Sequence, residues 1–138
     1  MNNVLLKINS INFNENDELI EENTYQCLAN YYNDEEYYYL DYYLDDNINT
    51  SYHLAYNENE FIIKANSANK KIIIYCLDNT GYVKILTHDI NLIQDIKLID
   101  YVINNKELFM RYGIFDNNTL LSKITFKIEI EENTNGIN

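Results

Sequence analysis

The sequence predicts an all-β protein built as a single antiparallel up-and-down β-barrel of about eight to ten strands. Clusters rich in Asn and Asp recur roughly every 10 to 12 residues, and β-branched and aromatic residues fill the stretches between them. The chain contains no proline and three glycines. Its turns must therefore be made by Asn and Asp, which tolerate left-handed backbone. Hairpins that follow one another in this way form a sheet that curls and closes, which removes its edges.

Several segments alternate between apolar and polar residues, as expected of strands with one buried face. Segments at 60–65, 71–77 and 107–115 follow this pattern. The alternation is clearest near the end of the chain, where one face carries Leu120, Ser122, Ile124, Phe126, Ile128 and Ile130. These segments supply the predicted core of the barrel.

The segment 89–103 fits two structures. Five isoleucines fall at spacings that suit one face of a helix. The same segment is rich in β-branched residues, which favour a strand. In a regular strand, however, its apolar residues would fall on both faces. One long, bent strand is favoured over a helix. The isoleucines in question are Ile90, Ile93, Ile96, Ile99 and Ile103.

A chain of 138 residues fits one domain. We expect a barrel over residues 1–132 and a frayed C-terminal tail over 133–138. The N-terminal sequence MNNVLLKINS has no basic segment followed by a long apolar run, and no later run approaches the length of a transmembrane helix. The expected location is cytoplasmic, or outside the cell by a route without a recognisable signal peptide.

The net charge of −12 is concentrated in the first part of the chain. Residues 1–60 hold 13 of the 22 acidic residues and one basic residue, whereas residues 61–138 hold nine of each. Such a surface repels nucleic acid and anionic membranes, so neither is an expected partner. It attracts a protein partner with a basic surface, or it serves only to keep the chain soluble.

No motif for catalysis, metal binding or a cofactor stands out, and we predict a protein that is not an enzyme. Cys27 and Cys76 lack the spacing of a zinc site and are expected to be reduced, buried thiols, although a disulfide is possible in a secreted protein. His53 and His88 have no third ligand at a suitable spacing. Three scattered glycines cannot form a phosphate-binding loop.

The stretch 31–46, YYNDEEYYYLDYYLDD, is the most unusual part of the chain, because 13 of its 16 residues are Tyr, Asp or Glu. It is interpreted as one strand of the barrel. Tyr38, Leu40, Tyr42 and Leu44 form its predicted core face. The opposite face is the predicted partner-binding surface, since exposed Tyr beside carboxylates suits Arg or Lys. The alternative is that these rings only pack across strands with Tyr31, Tyr52 or Tyr56. The predicted binding residues are Tyr37, Tyr39, Asp41, Tyr43 and Asp45.

Residues 17–45 resemble the YwiB-like family of uncharacterised bacterial proteins, which have a calycin-like β-barrel. Glu18 to Glu21 with Thr24 match a first motif, and Tyr39, Leu40 and Tyr42 match a second. The segments ELFMRYGIF and LLSKITFKIEI look like the family's last two strands, so the similarity runs loosely over 3–131. The family's glycine after the Thr motif is absent, and Gln26 stands near that position.

The barrel interpretation and this resemblance give an alternative function, the binding of a small apolar ligand inside the barrel. Glu22 and Thr24 share one face of their strand and would anchor the ligand if that face pointed inward. The inward apolar side chains would surround the ligand, or would instead fill the interior completely. The predicted ligand-binding residues are Glu22, Thr24, Phe61, Tyr112 and Phe126.

A second resemblance rests on composition alone. The chain is small, acidic and rich in Asn, Ile and Tyr. In this it is similar to the accessory proteins of clostridial neurotoxin gene clusters, which act by forming complexes. This resemblance implies a further alternative function, an accessory component of a clostridial toxin complex.

Overall fold

A computed structural model describes residues 2–44 and 49–132 of the chain. Its ten elements are all strands, and the described residues include no helix long and apolar enough to cross a membrane. The strands are β1 (Asn2–Asn14), β2 (Leu19–Asn33), β3 (Tyr38–Leu44), β4 (Thr50–Tyr56), β5 (Glu60–Asn66), β6 (Lys70–Leu77), β7 (Thr80–Thr87), β8 (Asn91–Ile103), β9 (Glu107–Asp116) and β10 (Thr119–Glu132).

The strands form one closed antiparallel barrel in which each strand pairs with its neighbours in sequence. The barrel closes where β1 pairs with β10, in a register that runs from Val4 opposite Glu132 to Asn14 opposite Ser122. Closure leaves no strand with unpaired backbone groups along an edge. The predicted fold class, an all-β antiparallel up-and-down barrel, is confirmed.

Several of the turns contain Asn or Asp in left-handed backbone conformation. Asp17, Asp78, Asn117 and Asn118 have φ values of 62°, 59°, 49° and 67°, and no glycine in the described ranges has a positive φ. Asn117 and Asn118 form the two-residue connection between β9 and β10, where a tight hairpin needs positive φ at both central positions. The prediction that Asn and Asp replace glycine in the turns is confirmed.

Residues 91–103 form one long strand, β8, as favoured from the sequence. Its pairing with β9 is irregular between Leu98 and Asp100. An extra residue in one strand shifts every following side chain to the other face. Ile96 therefore lies buried before the bulge, and Tyr101 packs against the core after it. The bulge explains why a strict period of two fails in this segment.

The stretch 31–46 is a hairpin, so its interpretation as one strand is wrong. Residues 31–33 end β2, and β3 begins at Tyr38. The turn forms because the Asp34 side chain caps it locally. Oδ1 of Asp34 accepts hydrogen bonds from the backbone N–H groups of Glu36 (2.8 Å) and Tyr37 (2.7 Å). Asp45 and the predicted tail at 133–138 lie outside the described residues.

The interior is filled differently at its two ends. One end of the barrel carries the turns 34–37, 57–59 and 104–106, and most side chains that point inward there are almost wholly buried. We call this the packed end. Toward the opposite end, at the turns 15–18, 67–69 and 117–118, inward side chains such as Ile72, Ile124 and Phe126 are only partly buried. The packed end is formed by Leu6, Leu40, Leu54, Tyr56, Phe61, Leu108, Met110 and Ile128, each at most 1% exposed.

Two glycines in strands differ in how they would tolerate a side chain. A Cβ on Gly81 would overlap the backbone carbonyl oxygen of Tyr75 and lie 2.7 Å from the Cα of Cys76. A Cβ on Gly113 would meet only side-chain atoms, of Phe115 at 2.9 Å and Leu120 at 3.0 Å. Rings and methyl groups can move aside, whereas a paired strand cannot without losing its register.

Gly81→Ala is therefore expected to lower the free energy of unfolding by about 3 kcal/mol, and Gly113→Ala by about 1 kcal/mol, the upper and lower ends of the usual range for overpacking. Urea unfolding followed by circular dichroism measures both variants under the same conditions. A Gly81→Ala variant as stable as the parent protein would contradict the close backbone approach.

Candidate functional site

The two predicted faces of β3 are present in the structure. Leu40, Tyr42 and Leu44 point inward and are at most 6% exposed. Tyr43, between two of them, is 52% exposed. The division predicted from period two is thus confirmed for this strand. The binding role of the outer face stays a prediction.

The inward tyrosines pack across strands at both ends of the hairpins. Tyr38 is 37% exposed at the rim of the packed end, where its ring stacks on those of Tyr31 and Tyr56 at centroid distances of 6.2 and 5.7 Å. Deeper in the barrel, Tyr42 stacks on Tyr52 at 4.9 Å. Pairs of this kind contribute about 0.5–1.5 kcal/mol each beyond their burial. Tyr31, Tyr52 and Tyr56, which were expected as an alternative to pack with the outer rings, therefore pack with the inner rings of Tyr38 and Tyr42 instead.

On the outer face, Tyr39 is held by two contacts. Its ring stacks on Tyr32 with centroids 4.9 Å apart, and its hydroxyl donates a 2.7 Å hydrogen bond to Oδ2 of Asp34. That bond, together with the backbone N–H groups of Tyr37 and Glu36, lowers the pKa of the Asp34 carboxyl. The carboxylate thus fixes both the turn and the first outward ring of β3.

Tyr37 lies in the turn just before β3 and bonds to Glu60. Its hydroxyl donates to Oε1 of Glu60, and the hydroxyl of Tyr75 donates to Oε2 at 2.8 Å. The hydrogen bond to the carboxylate is the main reason that the pKa of Tyr37 rises to about 12. Glu60 therefore links the β2–β3 turn to β5 and β6.

Asp41 is shared between two neighbouring strands. The hydroxyl of Tyr32 donates to Oδ2 at 2.8 Å, and Nδ1 of His53 contacts Oδ1. A carboxylate only accepts hydrogen bonds, so Nδ1 of His53 must carry the proton. The bond to Asp41 raises the pKa of Tyr32 to about 12. Asp41 keeps 36% of its side chain exposed, and His53 keeps 42%.

The predicted partner-binding residues therefore divide into two groups. Tyr37, Tyr39 and Asp41 all bond to groups within the molecule. Tyr43 is the most exposed of them, and its side chain rises from the surface beside Asp41 without a hydrogen bond in the described structure. The structure brings Asp41 and Tyr43 together in one groove and leaves Tyr37 and Tyr39 outside it.

This groove, which we call the Tyr43 groove, is shallow, has a volume of about 510 Å³ and crosses strands β1 to β5. Leu28 is 55% exposed in this groove and was not among the binding residues predicted from the sequence. Leu28 follows Glu22, Thr24 and Gln26 on the outer row of β2, and an apolar residue in a polar row was the signal that could have found it. The groove is lined on its outer surface by Asn3, Leu28, Asn30, Asp41, Tyr43, Ser51, His53 and Asn66.

The groove lies on the acidic part of the barrel. Strands adjacent in sequence are adjacent in space, so the charged side chains of residues 1–60 that the structure describes lie on β1 to β4, in the turns beside them and at Glu60, where β5 begins. Residues 61–138 carry the balanced remainder. The uneven charge along the sequence thus becomes an acidic side and a neutral side of one barrel.

Two of the predicted interior ligand anchors are misplaced. Glu22 and Thr24 are exposed on the outer face, where Nδ2 of Asn9 donates to each of them at 3.1 Å. The inward row of β2 contains the odd-numbered residues, so the condition for this ligand site, an inward Glu22, is not met, and the exposed Glu22 favoured from the sequence is what the structure shows. Asn23 and Tyr25 point inward instead.

The remaining predicted ligand residues lie at different ends of the interior. Phe61 is 1% exposed in the packed end, where it meets the rings of Tyr101 and Tyr112. Tyr112 and Phe126 line a cavity toward the opposite end. The prediction that Phe61 shares a ligand site with these two residues is therefore wrong, since large side chains fill its end of the barrel.

Groups suited to metal or redox chemistry are dispersed. No three His, Cys, Asp or Glu side chains within residues 2–44 and 49–132 could together hold a metal ion. Cys27 is half-buried and Cys76 buried, and both are free thiols. Burial raises the pKa of each thiol.

Ten antiparallel strands in sequence order define this protein as a closed meander barrel. The crystal structure of YwiB protein from Bacillus subtilis has the same fold, with a TM-score of 0.68 over 93% of this chain and 91% of that one. The two chains are 14% identical, so the likeness shows the fold alone. No family model and no curated protein matches the sequence. The predicted relationship to YwiB is confirmed for the fold, and family membership stays a prediction.

The bond between Tyr37 and Glu60 predicts a specific alkaline titration. Tyr37 in the folded protein should lose its proton near pH 12. Glu60→Gln removes the charged acceptor and should lower this pKa toward about 10, the usual value for tyrosine. Because the folded pKa is raised, the bond stabilises the fold fully below about pH 10 and is lost as the pH rises through 12. NMR of ¹³Cζ-labelled tyrosine measures the titration.

Glu58→Gln is the matched control, because Glu58 is an exposed carboxylate in the adjacent turn. It should leave the Tyr37 titration unchanged. An equal effect of the two substitutions would show that general surface charge, and not the Glu60 bond, sets the pKa.

Proposed function

We propose that this protein is a non-enzymatic interaction protein that binds a protein partner with a basic surface through the Tyr43 groove. The observation that carries the proposal is the pair Leu28 and Tyr43, two large apolar side chains more than half exposed on the acidic side of the barrel. Single exposed apolar residues are common on protein surfaces. Two in one groove, surrounded by polar and acidic groups, are typical of an interface.

The surroundings of the groove favour binding because they are already ordered. Tyr32, Asp41 and His53 hold one another through hydrogen bonds, and Tyr39 stacks on Tyr32. Side chains fixed before binding lose little conformational entropy when a partner arrives. Tyr43 itself has only two side-chain torsions to order, which is why tyrosine is common in binding surfaces.

The chemistry of the groove fits an Arg or Lys side chain of the partner. The exposed part of Asp41 offers a carboxylate, and the ring of Tyr43 offers an aromatic face. A cation between them would form a charge-assisted hydrogen bond and a cation–π contact. The apolar stem of the same side chain, or an apolar neighbour, would cover Leu28. Salt should weaken the complex, because most of these charges lie near solvent.

A photo-cross-linker placed at position 43 tests the proposal in the cells that make this protein. We expect one discrete adduct from position 43 and none from position 82. Tyr82 is the matched control, since it is 37% exposed on β7 in the neutral part of the barrel. Mass spectrometry of the adduct identifies the partner and the residue that was captured.

Binding of the identified partner is then measured with purified proteins. Tyr43→Ser and Leu28→Ser should each weaken it at least tenfold, which corresponds to about 1.4 kcal/mol, and Tyr82→Ser should not change it. The affinity should also fall as the salt concentration rises. Equal adducts from positions 43 and 82, or full affinity in Tyr43→Ser, would contradict the proposal.

A further inference from the structure

The barrel interior contains a cavity of about 240 Å³ toward the end opposite the packed end. Ser10 and Asn23 on one side and Ile63, Ala65, Tyr112 and Phe126 on others contribute to its lining. Well-packed interiors rarely leave a void larger than a water molecule. Here Ser10, Asn23 and Ala65 place short side chains in the lining, so the core fills only part of the barrel interior.

The lining that the structure describes carries no charge. Within the described ranges, no Asp, Glu, Lys, Arg or His side chain borders the cavity. Its polar groups are hydroxyls and one amide. Burial raises the pKa of Tyr42 and of Tyr112, so both keep their protons. A charged ligand would lose its hydration without gaining a counter-charge, which restricts the occupant to uncharged molecules.

The volume sets the size of the occupant. An apolar protein cavity of about 150 Å³ accommodates benzene, with its six carbon atoms. If the number of atoms scales with the cavity volume, 240 Å³ accommodates roughly ten non-hydrogen atoms. Isoleucine, leucine and phenylalanine side chains form much of the lining, so most of the occupant should be apolar.

Two polar atoms on the inward rows at this end lack hydrogen-bond partners. Thr50 lies two residues beyond Tyr52, and its Oγ1 is unpaired while the residue is only 4% exposed. Asn12 lies two residues beyond Ser10, and its Oδ1 is also buried and unpaired. A buried polar atom without a partner costs about 1–3 kcal/mol. Neither residue borders the cavity, so the hydrogen-bonding group of an occupant would pair with the Ser10 hydroxyl or the Asn23 amide of the lining.

We propose that this cavity is a second binding site, which takes a small uncharged amphipathic molecule with an apolar body of about ten non-hydrogen atoms and one hydrogen-bonding group. The site is independent of the Tyr43 groove in its chemistry. Tyr42 and Tyr52 border both sites, whereas Tyr43 and Ser51 belong to the groove alone and Leu44 to the cavity alone.

The first experiment compares 1-octanol with octanoate, which share a chain length and differ in the charge of the polar group. Calorimetry measures their affinities, and NMR of ¹³C-methyl-labelled isoleucine locates them. We expect 1-octanol to bind at least tenfold more tightly than octanoate and to shift the methyl signals of Ile63, Ile74 and Ile124. Equal affinities, shifts confined to isoleucines that do not border the cavity, or no shifts up to the solubility of 1-octanol would overturn the proposal.

The second experiment fills the cavity. Ala65→Phe places a ring in it, and Ser10→Leu is a smaller change at the opposite wall. Each variant that remains folded by circular dichroism should bind 1-octanol at least tenfold more weakly. Unchanged affinity in a folded variant would overturn the proposal.

The variants already described distinguish a failure of the interior site from a failure of the proposed function. Tyr43→Ser should bind 1-octanol normally, because its side chain lies outside the barrel. The cavity variants should still give the adduct from position 43. Loss of 1-octanol binding in Tyr43→Ser would place the ligand in the outer groove and overturn the interior site, whereas failure of the partner experiment alone would leave the interior result standing.

Discussion

The pairing of β1 with β10 is the constraint on which the rest of the structure depends. It converts a meander with two exposed edges into a barrel, and only a closed wall gives each strand a fixed inner and outer face. The Lys7–Glu131 ion pair crosses this seam at 3.2 Å, but both side chains are nearly half exposed. Such pairs contribute at most about 1 kcal/mol. The seam is therefore held mainly by backbone hydrogen bonds and by the burial of Leu6 and Ile128.

Strands β3 and β4 have different chemistry on their two sides. Outside, carboxylates and tyrosine hydroxyls hold one another and leave Tyr43 exposed. Inside, Tyr42 and Tyr52 stack at the border of a neutral cavity. The tyrosines of these strands thus serve mainly as structural elements. They order the wall, and few of them remain available for a partner.

The fold was predictable because its determinants are local. Turn residues and period-two alternation recur along the chain, and a meander needs no long-range information except at the β1–β10 seam. The bulge in β8 was harder to predict, since it depends on the register with β9. The candidate sites were predictable only in part. Exposure of Tyr43 followed from alternation, but the bond of Tyr37 to Glu60 joins the β2–β3 turn to β5, and the bond of Asp41 to His53 depends on the register between β3 and β4. An inward position of Glu22 and Thr24 could not be tested from the sequence, because the mixed composition of β2 does not show which of its faces points inward.

The separation of charge between the two sides of the barrel gives the molecule an electric dipole. Residues 1–60, which include β1 to β4, carry the whole net charge of −12, and residues 61–138 sum to zero. In the field of a basic partner, such a molecule turns before contact so that its acidic side leads. Orientation during diffusion raises the rate of productive encounters, and the gain fades as salt shortens the Debye length. The arrangement of charges therefore acts on the rate of association, at distances at which neither Leu28 nor Tyr43 contacts the partner.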